Sequence, residues 1–257
     1  MNIEQITPDS SISLFVKNIL VYESNENING NRIQFFADGY PGLMFHKTEN
    51  GLIVRPHNKV MPEIFVYGQT IQPIELEING AYSILVFQLY PFVLKSFFNV
   101  DPQSINDDCY YLHESMGVNI NDLISKLMDS DSLQQRVEII SGLLLHYFEK
   151  QKQDLDFNIR QAIEIIILSN GQERIQSIAE KSGLSHRTFE RRFLIVTGLT
   201  AKQFAKIIQF QATLKQLTVK DYKKLTDIVY ENGFSDQSHF IRVFKAFTGK
   251  TPKTFKI

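Results

Sequence analysis

Two segments of the chain repeat one pattern about 50 residues apart, and this repeat limits the fold more than any other feature. The first copy runs from Ile178 to Phe193 and the second from Ile228 to Phe244. The matched residues are Ile178 and Ile228, Gly183 and Gly233, Phe189 and Phe240, Arg191 and Arg242, and Phe193 and Phe244. The offset grows from 50 to 51 because the second copy has one extra residue in its turn. Such a repeat predicts one structural unit built twice.

Each copy predicts a helix, a tight turn and a second helix. The turn glycine adopts the left-handed backbone that ends many helices. Ser185 in the first copy, and Ser235 or Asp236 in the second, are suited to cap the next helix by accepting backbone N–H bonds. In that helix two phenylalanines lie four residues apart, so they share one face and anchor it in a core. The predicted unit is a helix-turn-helix.

The opposite face of each second helix is polar. Its residues are His186, Arg187, Glu190 and Arg191 in the first copy, and Gln237, Ser238, His239 and Arg242 in the second. Arginine pairs with guanine edges and glutamine with adenine edges, and an α-helix fits the major groove of DNA. A single helix-turn-helix also occurs in many proteins that bind no DNA. Two copies with matched caps, anchors and arginines favour DNA recognition.

Charge is distributed unevenly along the chain. Residues 171–257 hold 16 lysines and arginines against seven acidic residues, whereas residues 1–170 hold 11 against 21. The net charge of -1 hides this contrast. A basic segment attached to an acidic one indicates a polyanionic partner for the C-terminal part, and the alternative is a solvated lysine-rich surface.

Two longer motifs extend the repeat. The segment from Asp227 to Phe247 reads DIVYENGFSDQSHFIRVFKAF and continues as Thr-Gly-Lys-Thr-Pro, and the segment from Leu184 to Phe193 is followed by Thr197 and Gly198. Both motifs resemble the DNA-binding domain of the AraC/XylS family of bacterial transcription regulators. The resemblance implies two helix-turn-helix units joined by a long helix, here about Ala201 to Leu217. It also implies that both recognition helices enter successive major grooves, about 34 Å apart along the duplex.

The same resemblance implies roles for individual residues. The first recognition helix would present Arg187, Glu190 and Arg191 to bases, with His186 and Thr188 near the backbone. The second would present Gln237, Ser238, His239 and Arg242 to bases. Phosphate contacts are expected from Lys202, Lys206 and Lys245. An acidic Glu190 on this face either accepts a hydrogen bond from cytosine or pairs with a neighbouring arginine.

Residues 30–90 predict a β-rich structure. Short runs of β-branched and aromatic residues alternate there with turn residues. The predicted strands are Arg32–Phe36, Gly42–His46, Gly51–Val54, Glu63–Tyr67, Ile74–Ile78 and Ser83–Leu89. The sequence Glu49-Asn50-Gly51 predicts a hairpin, because Asn-Gly tolerates a tight primed turn. Strands at this spacing favour a small barrel or a sandwich.

After Pro91 the pattern becomes helical. Predicted helices cover 92–98, 119–128, 133–150, 158–169, 173–181, 185–196, 201–217, 224–231 and 236–247. The expected fold class is therefore α+β, with an N-terminal small β-barrel, following helices and a C-terminal all-α part, and the family resemblance implies that the barrel is cupin-like. The best linker, 149–156, places a boundary near residue 155, and the family resemblance implies a sensor or dimerisation domain over 1–155 (β-rich over 10–100, helical over 119–150). The expected DNA-binding domain covers 156–257.

The strand-rich segment resembles the small-barrel sensor domains attached to AraC-like regulators, and Ser83 to Phe98 is similar to an uncharacterised N-terminal domain of such proteins.

His46, His57 and His113 either bind a metal or are ordinary surface or packed histidines, and their irregular spacing favours the second interpretation. Nine aromatic residues of this part either line a pocket or form the barrel core, which is more common. They are Phe35, Phe36, Tyr40, Phe45, Phe65, Tyr67, Tyr82, Phe87 and Tyr90. Cys109 is either a buried thiol or a redox switch between chains.

The leading hypothesis is a transcription regulator that binds double-stranded DNA and is controlled by a small-molecule effector or by dimerisation. The family resemblance adds RNA polymerase as an expected partner. Helices 119–128 and 133–148 pack on their own barrel or form a homodimer interface. We expect no cofactor, no membrane partner and no catalysis, and a cytoplasmic location. The alternatives are a metal-dependent cupin enzyme with a nucleic-acid-binding tail and a dimeric DNA-binding protein without a ligand.

Overall fold

The computed structural model describes residues 2–26, 30–112, 119–151, 155–219 and 225–255. Its strands are β1 (Asn2–Ile6), β2 (Val16–Ser24), β3 (Asn31–Phe35), β4 (Gly42–Thr48), β5 (Leu52–Arg55), β6 (Lys59–Met61), β7 (Ile64–Tyr67), β8 (Ile74–Ile78), β9 (Tyr82–Leu89) and β10 (Cys109–Tyr111). Its helices are α1 (Val93–Phe98), α2 (Ile120–Met128), α3 (Leu133–Gln151), α4 (Phe157–Leu168), α5 (Ile175–Lys181), α6 (His186–Thr197), α7 (Ala201–Val219), α8 (Leu225–Glu231) and α9 (Gln237–Thr248). A short 3-10 helix covers Pro102–Ile105.

The strands form two antiparallel sheets. One has six strands in the order β1-β2-β9-β4-β7-β10, and the other has four in the order β3-β8-β5-β6. Residues from both sheets, among them Ile33, Leu52, Phe65 and Val86, share one apolar core between them. Two facing sheets with such a core make the small barrel-like structure that the strand pattern predicts.

The six-stranded sheet is covered on both faces. In β9, Ile84 and Val86 join the core between the sheets, whereas Leu85 and Phe87 join a larger core formed with the helices. This division follows from the alternation of side chains along a strand. A strand buried on both faces shows an almost continuous apolar run, as β9 does. The molecule therefore has three layers: four strands, six strands and helices.

The larger core explains the amphipathic helices α2 and α3. Their apolar residues Leu127, Ile140 and Leu144 are buried in this core. The Phe148 ring stacks on Phe15, with the ring centroids 4.6 Å apart. The apolar face of each helix therefore packs against the chain itself. The α+β fold class is confirmed, and the nine predicted helices lie within about two residues of the observed ones.

Two predictions about the strands were wrong. Asn50 and Gly51 do not close a hairpin, because β4 and β5 belong to different sheets and the turn carries the chain from one sheet to the other. Strands β1, β2, β6 and β10 were not predicted. In β2 the polar residues Lys17 and Asn18 and a register shift between Val16 and Asn18 obscure the alternation. Strand β10 has three residues and forms by pairing with β7.

Within the described residues, no helix is both long and apolar enough to cross a bilayer.

A chain of polar side chains links β2 and β9 and ends at the Asp38 carboxyl group. Asn18 Nδ2 donates to Gln88 Oε1 at 2.8 Å, and Gln88 Nε2 donates to Asp38 Oδ2 at 2.8 Å. The other Asp38 oxygen accepts the Tyr40 N–H at 3.0 Å. Part of the Asp38 residue reaches solvent, but its carboxyl group is enclosed by protein. Burial outweighs these hydrogen bonds and raises the pKa of Asp38 to about 7.

This pKa predicts a pH-dependent stability. The folded chain binds the Asp38 proton more tightly than the unfolded chain, whose carboxyl has a pKa near 3.8. The stabilisation from protonated Asp38 is therefore complete below about pH 4 and is lost as the pH rises through about 7. Asp38→Asn removes this titration. Urea unfolding from pH 4 to pH 8 should show the wild type losing stability relative to Asp38→Asn, and parallel profiles would contradict the assignment.

Candidate nucleic-acid interface

The first helix-turn-helix comprises α5, a turn at Gly183 and α6. Gly183 has a φ of +68°, so it adopts the left-handed conformation that the sequence predicts. Ser185 caps α6, since its side chain accepts the Thr188 N–H at 3.3 Å. The helix ends at Gly198, which has a φ of +80°. Leu184 is partly buried against the core.

The second unit repeats this geometry with α8, a turn at Gly233 and α9. Gly233 has a φ of +73°, and Phe234 behind it is buried. Of the two candidate caps, Asp236 is the one used: its Oδ1 accepts the His239 N–H at 2.7 Å. This bond, together with the Ser235 hydroxyl, lowers the pKa of Asp236. Helix α9 ends at Gly249 with a φ of +71°.

The phenylalanine pairs set which face of each recognition helix is exposed. Phe189, Phe193, Phe240 and Phe244 are all 0% exposed. Residues on the opposite side of the two helices therefore point away from the core. The exposed members of the predicted site are His186, Arg187, Arg191, Gln237, Ser238, Arg242, Lys202, Lys206 and Lys245. The remaining three, Thr188, Glu190 and His239, are half-buried.

Local contacts explain the three half-buried residues. The Thr188 hydroxyl accepts a hydrogen bond from the Ser185 hydroxyl at 2.9 Å, so it belongs to the cap of α6. His239 lies edge-on to Phe234, and its Nδ1 is 3.3 Å from the Ser235 hydroxyl. Glu190 Oε1 lies 3.9 Å from His186 Nε2, one helical turn earlier on α6.

One predicted phosphate contact lies beside the second recognition helix. Lys206 of α7 lines an open cleft of about 380 Å³ together with His239 and Arg242. The structure thus brings side chains from the connecting helix and from α9 to one place. A cluster of this kind is suited to a phosphate oxygen, because each of these side chains supplies N–H donors. Lys202 and Lys245 are exposed on the same two helices, α7 and α9.

Sequence reasoning missed a pair of side chains that hold the turns. Asn158 Nδ2 in α4 donates to the Ser182 carbonyl at 2.7 Å, and Gln209 Nε2 in α7 donates to the Asn232 carbonyl at 2.5 Å. These carbonyls lie at the ends of α5 and α8, where no helical partner is available. Residues 158 and 209 are 51 positions apart, whereas the repeat has an offset of 50 before its turns, so extending it pairs Asn158 with Ile208 and does not find them.

A half-buried ion pair links the first recognition helix to the start of α4. The Arg192 guanidinium donates to both Asp156 oxygens, at 2.6 and 2.8 Å. Asp156 also caps α4 by accepting the Ile159 N–H at 3.1 Å. Arg192 is therefore engaged by this ion pair, and the neighbouring Arg191 is the one exposed on the outer face.

Contacts between the C-terminal helices and the β-rich part leave the polar faces open. Asn106 Nδ2 donates to the Gly198 carbonyl at 3.1 Å, at the end of α6. Gln211 Nε2 of α7 donates to the Ala37 carbonyl at 2.5 Å. Near the end of the chain, Phe255 packs edge-on against Phe36. These contacts use helix ends and the connecting helix, and the exposed recognition residues remain accessible.

The other candidate residues of the β-rich part are a set of histidines, one cysteine and several aromatic residues, most of them buried or half-buried. His46 is 3% exposed with its Nδ1 3.2 Å from the Thr48 hydroxyl, His57 is exposed, and His113 lies outside the described residues. No group of three or more potential metal ligands occurs in the described ranges.

Cys109 is buried, which raises the pKa of its thiol to about 12. Of the aromatic residues proposed for a pocket or a core, six are buried: Tyr40, Phe45, Phe65, Tyr67, Tyr82 and Phe87. Phe35, Phe36 and Tyr90 are half-buried.

Two known domain families match separate parts of the chain. Residues 178–256 match a helix-turn-helix domain, and residues 4–110 match a domain of unknown function, DUF6597. The first match covers both recognition helices. The second covers the two sheets.

Similar proteins are named as transcription regulators. The probable transcription factor PqrA of Proteus vulgaris is 32% identical over 99 residues, which cover 38% of this chain and 80% of PqrA. An uncharacterized HTH-type transcriptional regulator of Staphylococcus aureus strain N315 is 27% identical over 128 residues. That alignment covers 46% of this chain but only 17% of the S. aureus protein.

Two solved structures are similar to this chain at low TM-scores. ToxT from Vibrio cholerae has a TM-score of 0.48 and 15% identity, over 91% of this chain and 95% of ToxT. The AraC-like transcriptional activator CuxR has a TM-score of 0.30 and 13% identity, over 82% of this chain and 86% of CuxR. The duplicated helix-turn-helix, its family match and its similarity to PqrA together place this chain in the AraC/XylS family of DNA-binding transcription regulators.

Proposed function

We propose that this protein regulates transcription by inserting α6 and α9 into two successive major grooves of one DNA duplex. The observation that carries the proposal is the pairing of buried phenylalanines with exposed polar residues on both helices. The connecting helix α7 has 19 residues and spans about 28 Å at 1.5 Å per residue. This length is comparable with the 34 Å of one duplex turn, so the two helices suit neighbouring grooves on one face.

The residue roles follow from position and chemistry. Arg187 and Arg191 are exposed four residues apart on α6 and are suited to guanine edges, while Ser238 and Arg242 occupy the equivalent positions on α9. Gln237, at the start of α9, suits an adenine. His186, Thr188, Glu190 and His239 lie at the rim of these faces, and Lys202, Lys206 and Lys245 are assigned to phosphates.

The division of labour along the chain is also part of the proposal. Residues 156–257 bind DNA, and residues 1–155 control that binding through a small-molecule effector or through dimerisation. Support comes from the first recognition helix, whose Phe189 and Phe193 share one core with the six-stranded sheet. A change in the N-terminal part therefore has a packed route to α6. The regulator would act in the cytoplasm with RNA polymerase, without a catalytic step of its own.

The first test removes a guanidinium from the proposed reading face. Arg191→Ala should weaken binding to the preferred duplex by about 1–3 kcal/mol and relax base preference at one position. In vitro selection from a random duplex library, followed by fluorescence anisotropy, measures both effects. Arg32→Ala is the control, because Arg32 is an exposed arginine of β3 paired with Glu75. Unchanged binding by Arg191→Ala would remove α6 from the groove.

A second test separates phosphate contacts from base contacts. Lys206→Ala should weaken binding to all duplexes by a similar factor and reduce the slope of log affinity against log salt by about 1. Titrations between 50 and 200 mM salt measure this slope, because a protein with about six to ten phosphate contacts loses about 10³- to 10⁵-fold in affinity over that range. Lys17→Ala in β2 is the matched control. A change in base preference without a change in slope would contradict the assignment of Lys206.

A further inference from the structure

The loop between α4 and α5 contacts both the connecting helix α7 and the second helix-turn-helix unit. Gly171 in this loop has a φ of +73° and lies against the Ala205 carbonyl of α7, so closely that a Cβ at this position would overlap the carbonyl oxygen. The loop belongs to the first unit, because α5 follows it directly. Glycine therefore allows the first unit to rest on the backbone of the connecting helix.

The next residue crosses from the first unit to the second. Gln172 Nε2 donates to the carbonyl of Glu231, the last residue of α8, at 3.0 Å. The Gln172 side chain also lies close to Gly233. A Cβ added to this glycine would be 3.3 Å from the Gln172 side chain. Carbonyls at a helix end have no partner in their own helix, so this amide supplies one from the other unit.

Side chains of the connecting helix α7 also bind this turn. Gln209 Nε2 donates to the Asn232 carbonyl at 2.5 Å. The side chain of Asn232 is 4% exposed and donates to Gln216 Oε1 at 2.5 Å. Gln216 in turn donates to the Glu231 carboxylate at 3.2 Å. The turn 231–233 is thus held both by α7 and by the first unit.

The position of this turn decides the position of α9. Only residues 234–236 separate it from Gln237, the first residue of the second recognition helix. The bonds of Gln209 and Gln216 place the turn on α7. The Gln172 bond adds a direct link between the units, and it opposes rotation of the second unit about the end of α7.

We propose that Gln172 is a positioning residue that fixes the second recognition helix relative to the first and so restricts the spacing of the two half-sites in DNA. The inference rests on the DNA-binding function proposed above. Net hydrogen-bond energies correspond to factors of about 2 to 10. Loss of this bond should therefore reduce discrimination between correctly and incorrectly spaced sites by about this factor, with little effect on base preference within each half-site.

The test uses the full chain and its duplex from in vitro selection. Fluorescence anisotropy compares affinity for that duplex with affinity for versions carrying one base pair more or fewer between the half-sites. Gln172→Ala should lower the affinity ratio about two- to tenfold relative to wild type. Gln172→Glu is a second variant of similar size, and it should have the same effect because a carboxylate cannot donate to the Glu231 carbonyl.

Gln176→Ala is the matched control, because the amide of this exposed glutamine donates within its own helix, to Glu180 Oε1 at 3.2 Å. It should keep the wild-type ratio. Wild-type ratios in both Gln172 variants would overturn the inference and leave the proposed function intact. If the wild-type chain selects no sequence, the proposed function fails and this inference fails with it. Reduced ratios in the Gln172 variants alone would support it.

Discussion

Burial of two phenylalanines on each recognition helix is the constraint on which the remaining site depends. Because Phe189, Phe193, Phe240 and Phe244 are completely buried, each helix has one rotational position about its axis. Residues two positions before and after an anchor then lie on the far side. Arg187 and Arg191 on α6, and Ser238 and Arg242 on α9, occupy these places. Truncating an anchor would leave a cavity and free the helix to rotate, so packing and recognition are inseparable here.

The two units share a pattern of hydrogen bonds beyond their sequence similarity. Ser182 Oγ and Asn232 Nδ2 both donate to the carbonyl four residues earlier. Thr197 and Thr248, 51 residues apart, both accept the N–H two residues later across the glycine that ends the helix. Serine and asparagine look unrelated in a sequence, yet they perform the same task. The helices, caps and turn glycines could be predicted because local interactions decide them.

Features that depend on distant contacts could not be predicted in this way. Asn50 and Gly51 form a turn as expected, but sheet pairing decides that the turn connects two sheets. Strand β10 exists because Cys109, Tyr110 and Tyr111 pair with β7. The units also differ in their surroundings: Phe189 and Phe193 share a core with the six-stranded sheet, whereas Phe240 and Phe244 belong to a smaller core with Phe210 and Val243. The first unit is therefore the one more closely packed with the N-terminal part.

The most direct measurement of the central claim is methylation interference on the selected duplex bound by the full chain. Methylation at guanine N7 blocks the major groove, so it reports which grooves the recognition helices enter. The account predicts interference in two segments about 10 base pairs apart on one face of the duplex. Interference confined to one segment, or binding that ignores guanine methylation altogether, would contradict it.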